Sequence, residues 1–168
     1  MPYITTAELA ERPGAREIAQ QASLPHQMVR DDALMDATLR GTDRSAWTPE
    51  QIAAADAALA RVQDAVAEAG ALIDGHLVQR GYTLPLALPP GSAGRSMVTV
   101  WARSITRYLL NKDRMTDESK DPVARDYRDA LKLLGLLAAG KFSLGADDPA
   151  APAATGSTDV RFDSAPTV

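Results

Sequence analysis

The chain has 168 residues, 45% of them hydrophobic, 24% charged and 5% aromatic, which suits one modest globular domain and excludes fibrous, collagen-like and wholly disordered chains. Eighteen basic against 22 acidic side chains leave a net charge of −4, too acidic overall for tight nonspecific binding to nucleic acid through counterion release. With no cysteine, and only His26 and His76 to supply imidazole, disulfides, thiolate nucleophiles, sulfur-ligated metals and redox chemistry are excluded.

Alanine is abundant and rings are scarce, which favours helices packed closely through small side chains over a sheet-rich core. The opening Met1-Pro2-Tyr3-Ile4 lacks a basic stretch followed by an apolar run, and the longest apolar run, Leu133 to Gly140, is far short of a membrane span. Neither a signal peptide nor a transmembrane segment is therefore expected.

In chain order, Thr5 or Thr6 can cap a short first turn carrying Glu8 and Leu9, which Pro13-Gly14 stops. A second short helix is predicted over residues 15–22. Residues 24–46 mix Pro25, Gly41 and many charges with Leu24, Met28, Leu34, Met35 and Leu39, and read as an irregular insertion with a helical turn or two.

The clearest element starts at Thr48-Pro49-Glu50-Gln51, where threonine suits the N-cap, proline the first helical position and Gln51 the capping box. From there Ile52, Ala55, Leu59, Val62, Val66, Ala69, Ile73 and Leu77 recur at spacings of three and four until Gly81 offers a left-handed stop. The predicted helix, residues 49–80, would be about 48 Å long at 1.5 Å per residue. Gly70 and Gly75 weaken its later half, where a bend or break is expected.

Three prolines in Tyr82-Thr83-Leu84-Pro85-Leu86-Ala87-Leu88-Pro89-Pro90 forbid helix and make this an extended apolar strap. Further helices are predicted from about Gly94 to Asn111, with Met97, Trp101, Ile105 and Tyr108 on one face, and from Pro122 behind its Asp121 cap to Gly140. From Gly145 to Thr158 small and polar residues predominate, and a flexible linker is expected. Beyond it Val160, Arg161 and Phe162 alternate apolar and polar as a strand does. Such a pattern cannot fold alone: it either stays disordered or adds to a neighbour's sheet edge, and the second reading is favoured. The predicted organisation is all-α: a small helical bundle with one long helix over residues 1–144, irregular at 24–46, then a linker and C-terminal interaction arm over 145–168.

Catalytic chemistry finds little support. Gly135 through Gly140-Lys141 reproduces the spacing of a phosphate-binding loop, but Phe142 replaces the magnesium-holding hydroxyl and the glycines fall in and after a helix, so Gly140 reads as a helix stop. Asp74 and His76, two residues apart on a helix, point to different faces. No motif offers three metal ligands. The turn Gly91-Ser92-Ala93-Gly94 could cradle an anion beside Arg95, though a plain turn into a helix explains it as well. Between Arg95 and Arg114 five basic residues, Arg95, Arg103, Arg107, Lys112 and Arg114, outnumber the single acid Asp113. Such a segment could face DNA or an acidic partner, or be a solvated face balanced by neighbouring carboxylates.

Several segments in order, Tyr3-Ile4-Thr5 with Glu8-Leu9, Ile73-Asp74-Gly75-His76-Leu77, Tyr82-Thr83-Leu84-Pro85-Leu86, Ile105-Thr106-Arg107-Tyr108-Leu109, Tyr127-Arg128-Asp129-Ala130-Leu131 and Ala138-Ala139-Gly140-Lys141, resemble the family of Mu-like phage and prophage head-completion proteins. The chain departs from that pattern at 24–46, where it is longer, and at His76, where tyrosine is usual. The resemblance implies a virion protein without enzyme activity or cofactor: a head-to-tail connector of the adaptor type, forming a homo-oligomeric ring of twelve copies. It would sit in the neck between portal protein and stopper or tail-proximal protein, assembled in the host bacterial cytoplasm, with phage DNA passing through unread. No membrane is involved. Twelve chains of −4 would total about −48, which opposes DNA condensing on the channel wall. On this reading Leu84, Pro85, Leu86, Val160, Arg161 and Phe162 contact partners, and Arg95, Arg103 and Arg107 face the portal or channel. The alternative is a small cytoplasmic helical regulator that binds one protein through the same stripe.

Overall fold

The computed structural model describes residues 2–145, and the expected linker after Gly145 and the Val160, Arg161 and Phe162 segment lie outside them. Among the described residues the chain is all-α: a one-turn helix α1 (Thr6–Leu9), then α2 (Ala15–Ala22), α3 (Asp32–Arg40), α4 (Pro49–Arg80), α5 (Ala93–Asn111) and α6 (Pro122–Ala138).

Local chemistry sets most of the ends. Thr5 caps α1 through a closed capping box, accepting from the Glu8 amide at 3.1 Å while the Glu8 carboxylate accepts from the Thr5 amide at 2.7 Å. Thr48 and Gln51 repeat the device at α4, with Pro49 in the first turn. Three helices close alike. Gly41, Gly81 and Gly140 all take positive φ, and the next residue's amide returns to a carbonyl five residues back: Thr42 to Ala37, Tyr82 to Leu77, Lys141 to Leu136. Gly140 is thus a helix stop, and Gly135 lies inside α6.

Helix α4 is the spine of the bundle and runs unbroken for 32 residues. No break occurs at Gly70 or Gly75: the helical assignment continues through both, and open space surrounds each. Its fully buried line is Ala55, Ala58, Val62, Ala65, Ala69, Ile73 and Leu77, while Ile52, Leu59 and Val66 sit at the flanks, partly buried. The centre of the stripe is therefore mostly alanine, which lets α2, α3, α5 and α6 all pack closely against the spine. Wholly buried Val62, Ile73 and Leu77 each contribute about 1.5 to 3 kcal/mol of transfer free energy.

Residues 24–46 correct the sequence reading. The predicted irregular insertion holds a regular nine-residue helix, α3, whose Leu34, Met35 and Leu39 are core residues. Asp31 caps it, one carboxylate oxygen accepting from the amides of Ala33 at 2.9 Å and Leu34 at 3.2 Å and the other from the Trp47 indole at 2.7 Å. These bonds, the indole's first, hold the Asp31 carboxyl below the usual carboxylate range. Ahead of it, Ser23 ties the end of α2 to Val29, donating to Ala19 at 2.6 Å and accepting from the Val29 amide at 3.0 Å.

After α6 the chain turns back across the start of α5. Leu144 is buried, its amide donates to the Tyr82 hydroxyl at 3.2 Å, and its carbonyl lies where a side chain on Gly94 would have to go. Phe142 meets Trp101 edge-on, ring centres 6.3 Å apart.

Candidate interaction surfaces

The strap after α4 has two sides. Leu84, Leu86 and Leu88 pack against the core, half-buried, while Thr83, Pro85 and Ala87 between them face solvent. Period-two alternation of an extended segment produces this division. Of the three strap residues expected to touch partners, Pro85 is displayed outward, and Leu84 and Leu86 spend much of their apolar surface on their own domain. Behind the strap lies a cleft of about 350 Å³ lined by Tyr3, Asp74, Pro85, Leu86, Leu88 and Arg95. Within it the Tyr3 hydroxyl donates to Asp74. Burial, then that bond, raises the Tyr3 pKa. Arg95 also lines it, and the Ser92 hydroxyl accepts from the Arg95 amide at 3.2 Å. Ser92 is thus the helix cap of the Gly91–Gly94 turn.

The basic segment folds largely onto the chain's own acceptors. Arg107 donates to Glu17 at 2.7 Å and lies 3.7 Å from Asp126, while Arg114 donates to the carbonyls of Gln20 and Ser23, the latter at 2.7 Å. Arg103 is half-buried, and its Nε has no hydrogen-bond partner among the described residues. Burial, then the Arg12 charge beside it, lowers its pKa. Arg95, Arg103 and Arg107 therefore do not form one uniform basic face: one borders the strap cleft, one is wedged near Arg12, and one joins α2, α5 and α6 as a tie.

Asp74 and His76 do not meet. Asp74 is taken by Tyr3, and the His76 Nδ1 is 2.9 Å from the Leu72 carbonyl one turn back. No group of three potential metal ligands occurs among the described residues, and no described helix is long and apolar enough to cross a membrane.

Two features escaped the sequence reading. Tyr108, predicted on one helix face with Trp101 and Ile105, is only partly buried and stacks on Tyr127, ring centres 3.9 Å apart and planes nearly parallel, with its hydroxyl donating to Glu118 at 3.1 Å. The pair zips α5 to α6 from outside. The other is a groove of about 240 Å³ along the same two helices, lined by Val100, Trp101, Ala130 and Leu133, with Asp126 and Asp129 on its edge. Val100 is 50% exposed, Leu133 39%, and Leu136, one turn beyond Leu133, 38%, a run of large aliphatic side chains open to solvent. The 3.6-residue period of α6 would have revealed Leu133 and Leu136 as lying off its buried line of Ala130, Leu134 and Leu137.

Among the described residues the domain is all-helical, with an alanine-lined spine and with Arg107 and Arg114 tied to acceptors of the same chain. Its family is explicit in the sequence: the model of the family "Bacteriophage Mu, Gp36" matches residues 3–162, and the chain belongs to that family of Mu-like phage proteins. It is similar to the Mu-like prophage FluMu protein gp36 of Haemophilus influenzae, 34% identical over 119 residues that cover 71% of this chain and 75% of the relative.

Proposed function

We propose that the chain is a structural virion protein, an adaptor of the head-to-tail connector that assembles as a ring of twelve copies in the phage neck. In this reading it binds the portal protein on one side and a stopper or tail-proximal protein on the other, lines the DNA exit path without sequence-specific contacts, and has neither catalytic activity nor a cofactor. Membership of the Mu Gp36 family across residues 3–162 is the observation that carries the proposal. The fold is consistent with it in two respects. Arginines that could have gripped passing DNA are spent inside the chain, Arg107 on Glu17 and Arg114 on the end of α2, and the net charge of −4 per copy repels a polyanion. Exposed Val100, Leu133 and Leu136, with the outward Pro85 of the strap, are apolar surface that neighbours in a ring can cover.

The test is association with the portal protein of the same phage, followed by light scattering. A discrete complex with several copies per portal is the expected result. A chain that ignores portal while pairing with one cytoplasmic protein would be the helical regulator instead. Removing residues 159–168 is expected to abolish tail attachment in assembled particles, and normal attachment would remove the arm's role.

A further inference from the structure

We infer that the strap is a docking edge for an extended, acidic segment of a different protein, which pairs with the main chain of residues 86–88 and places a carboxylate beside Arg95. In the adaptor reading above, on which this rests for the partner being a protein, the strap supplies apolar cover alone. Its main chain and its cleft supply the rest of a recognition site.

At one end of the strap the Tyr82 amide bonds to Leu77, and at the other the Ser92 amide bonds to the Pro89 carbonyl. Between them no main-chain group of residues 83–88 has a hydrogen-bond partner among the described residues. The other long connections are knitted internally. Gln27 and Val29 donate to Leu24 and the Ser23 hydroxyl, Ser45 and Trp47 to Asp43 and Arg44, and Ser119 and Lys120 to Asp117. The strap is held in place by other means: half-buried Leu84, Leu86 and Leu88 press it on the core, and Pro85, Pro89 and Pro90 restrict its backbone. Between those prolines residues 86–88 keep their N–H groups. An extended backbone with unpaired donors and acceptors, and little freedom left to lose, is a template for a further strand.

The cleft supplies the selectivity. It opens beside the same residues, with Leu86 and Leu88 on its apolar side and Asp74 and Arg95 as its charges. Asp74 is already engaged by the Tyr3 hydroxyl. The Arg95 guanidinium has no ion pair or hydrogen bond among the described residues, and its planar fork of donors suits a carboxylate. A side chain entering from an apposed strand therefore meets apolar surface and an unanswered positive charge. A nucleic-acid strand would call for several cations in register, and Arg95 is the one basic side chain among the described residues that line the cleft. Nor do the described residues hold a strand that a second copy could offer.

The test uses the full chain, isotope-labelled, and three capped peptides: valine-aspartate-valine flanked by threonines, the same peptide with asparagine, and the aspartate peptide with its amides N-methylated. The amide signals of Leu86, Ala87, Leu88 and Arg95 are followed during titration. The aspartate peptide is expected to shift all four in the millimolar range, the asparagine peptide to bind about fivefold more weakly, and the N-methylated peptide not to bind. Arg95→Gln exchanges two good helix formers, and is expected to leave Tm in place while erasing the difference between aspartate and asparagine. No shift at residues 86–88 with the aspartate peptide, equal binding of the three peptides, or a preference for aspartate that survives Arg95→Gln would overturn the assignment. So would a short oligonucleotide that shifts the same signals more strongly, or shifts that grow when the chain alone is concentrated, since the occupant would then be nucleic acid or a second copy. A chain that binds these peptides and ignores portal keeps the edge and loses the ring, and the reverse result keeps the ring and loses the edge.

Discussion

Gly94→Ala tests how the chain closes on itself. A Cβ built at this position would lie 2.1 Å from the Leu144 carbonyl oxygen and 3.0 Å from its carbon. Both are backbone atoms that no rotamer change can move aside, so residues 141–145 must lift. Lifting them exposes Leu144, now 4% accessible, worth about 1.5 to 3 kcal/mol of burial. It also breaks the bond to the Tyr82 hydroxyl, worth about 1 kcal/mol net. Alanine returns less than about 1 kcal/mol through its better helix propensity. The expected net loss is about 2 kcal/mol, or about 4–8 °C in Tm for a domain of this size. Urea denaturation followed by helical circular dichroism measures it. Leu144→Ala should cost a similar amount, and the double variant little more than either alone, because both break one closure. A Gly94→Ala protein as stable as the parent, or two losses that simply add, would refute the reasoning.

Gly70→Ala and Gly75→Ala are expected to stabilise the chain by about 0.5–1 kcal/mol each, since both positions are helical with nothing within 4 Å of the added methyl; thermal denaturation reads this directly. Arg107→Ala should lower stability by about 1 to 2 kcal/mol, as its side chain is 22% exposed and its guanidinium serves both Glu17 and Asp126; Arg107→Lys should recover only part, having no planar fork. Asp31 is held below the usual carboxylate range by Trp47 and the α3 amides. Its contribution is therefore complete above the unfolded value of about 3.9 and is lost as pH falls through the lower folded value. The Tm gap between parent and Asp31→Asn should be constant near neutrality and close in that acid window.

What was legible in the sequence is what local chemistry decides. Both ends of α4 are written in adjacent residues, Thr48-Pro49 with Gln51 at one and Gly81 at the other, and α6 follows from Asp121-Pro122 in the same way. The α3 helix was equally signposted by Asp31 and Gly41, but nine residues rich in charge give a weak period, and its stability comes from Leu34, Met35 and Leu39 meeting a core assembled elsewhere. The basic segment resisted prediction for a different reason. The partners of Arg107 and Arg114 lie about 90 residues away, at Glu17, Gln20 and Ser23, and no local pattern reveals such pairs. Gly94 likewise reads as turn punctuation until Leu144 is seen against it. The family assignment was available from ordered motifs, which survive even where periodicity fails.

Leu144 gives that closure a mechanical side. The main chain leaves the domain from beneath a buried leucine, anchored to Tyr82 and pressed on the first turn of α5. A pull on residues beyond 145 is therefore delivered to the bundle through this clamp, and must shear an apolar contact and a hydroxyl bond together before α6 feels any strain. A domain fastened at its exit in this way can bear tension from whatever follows while its interior stays at rest.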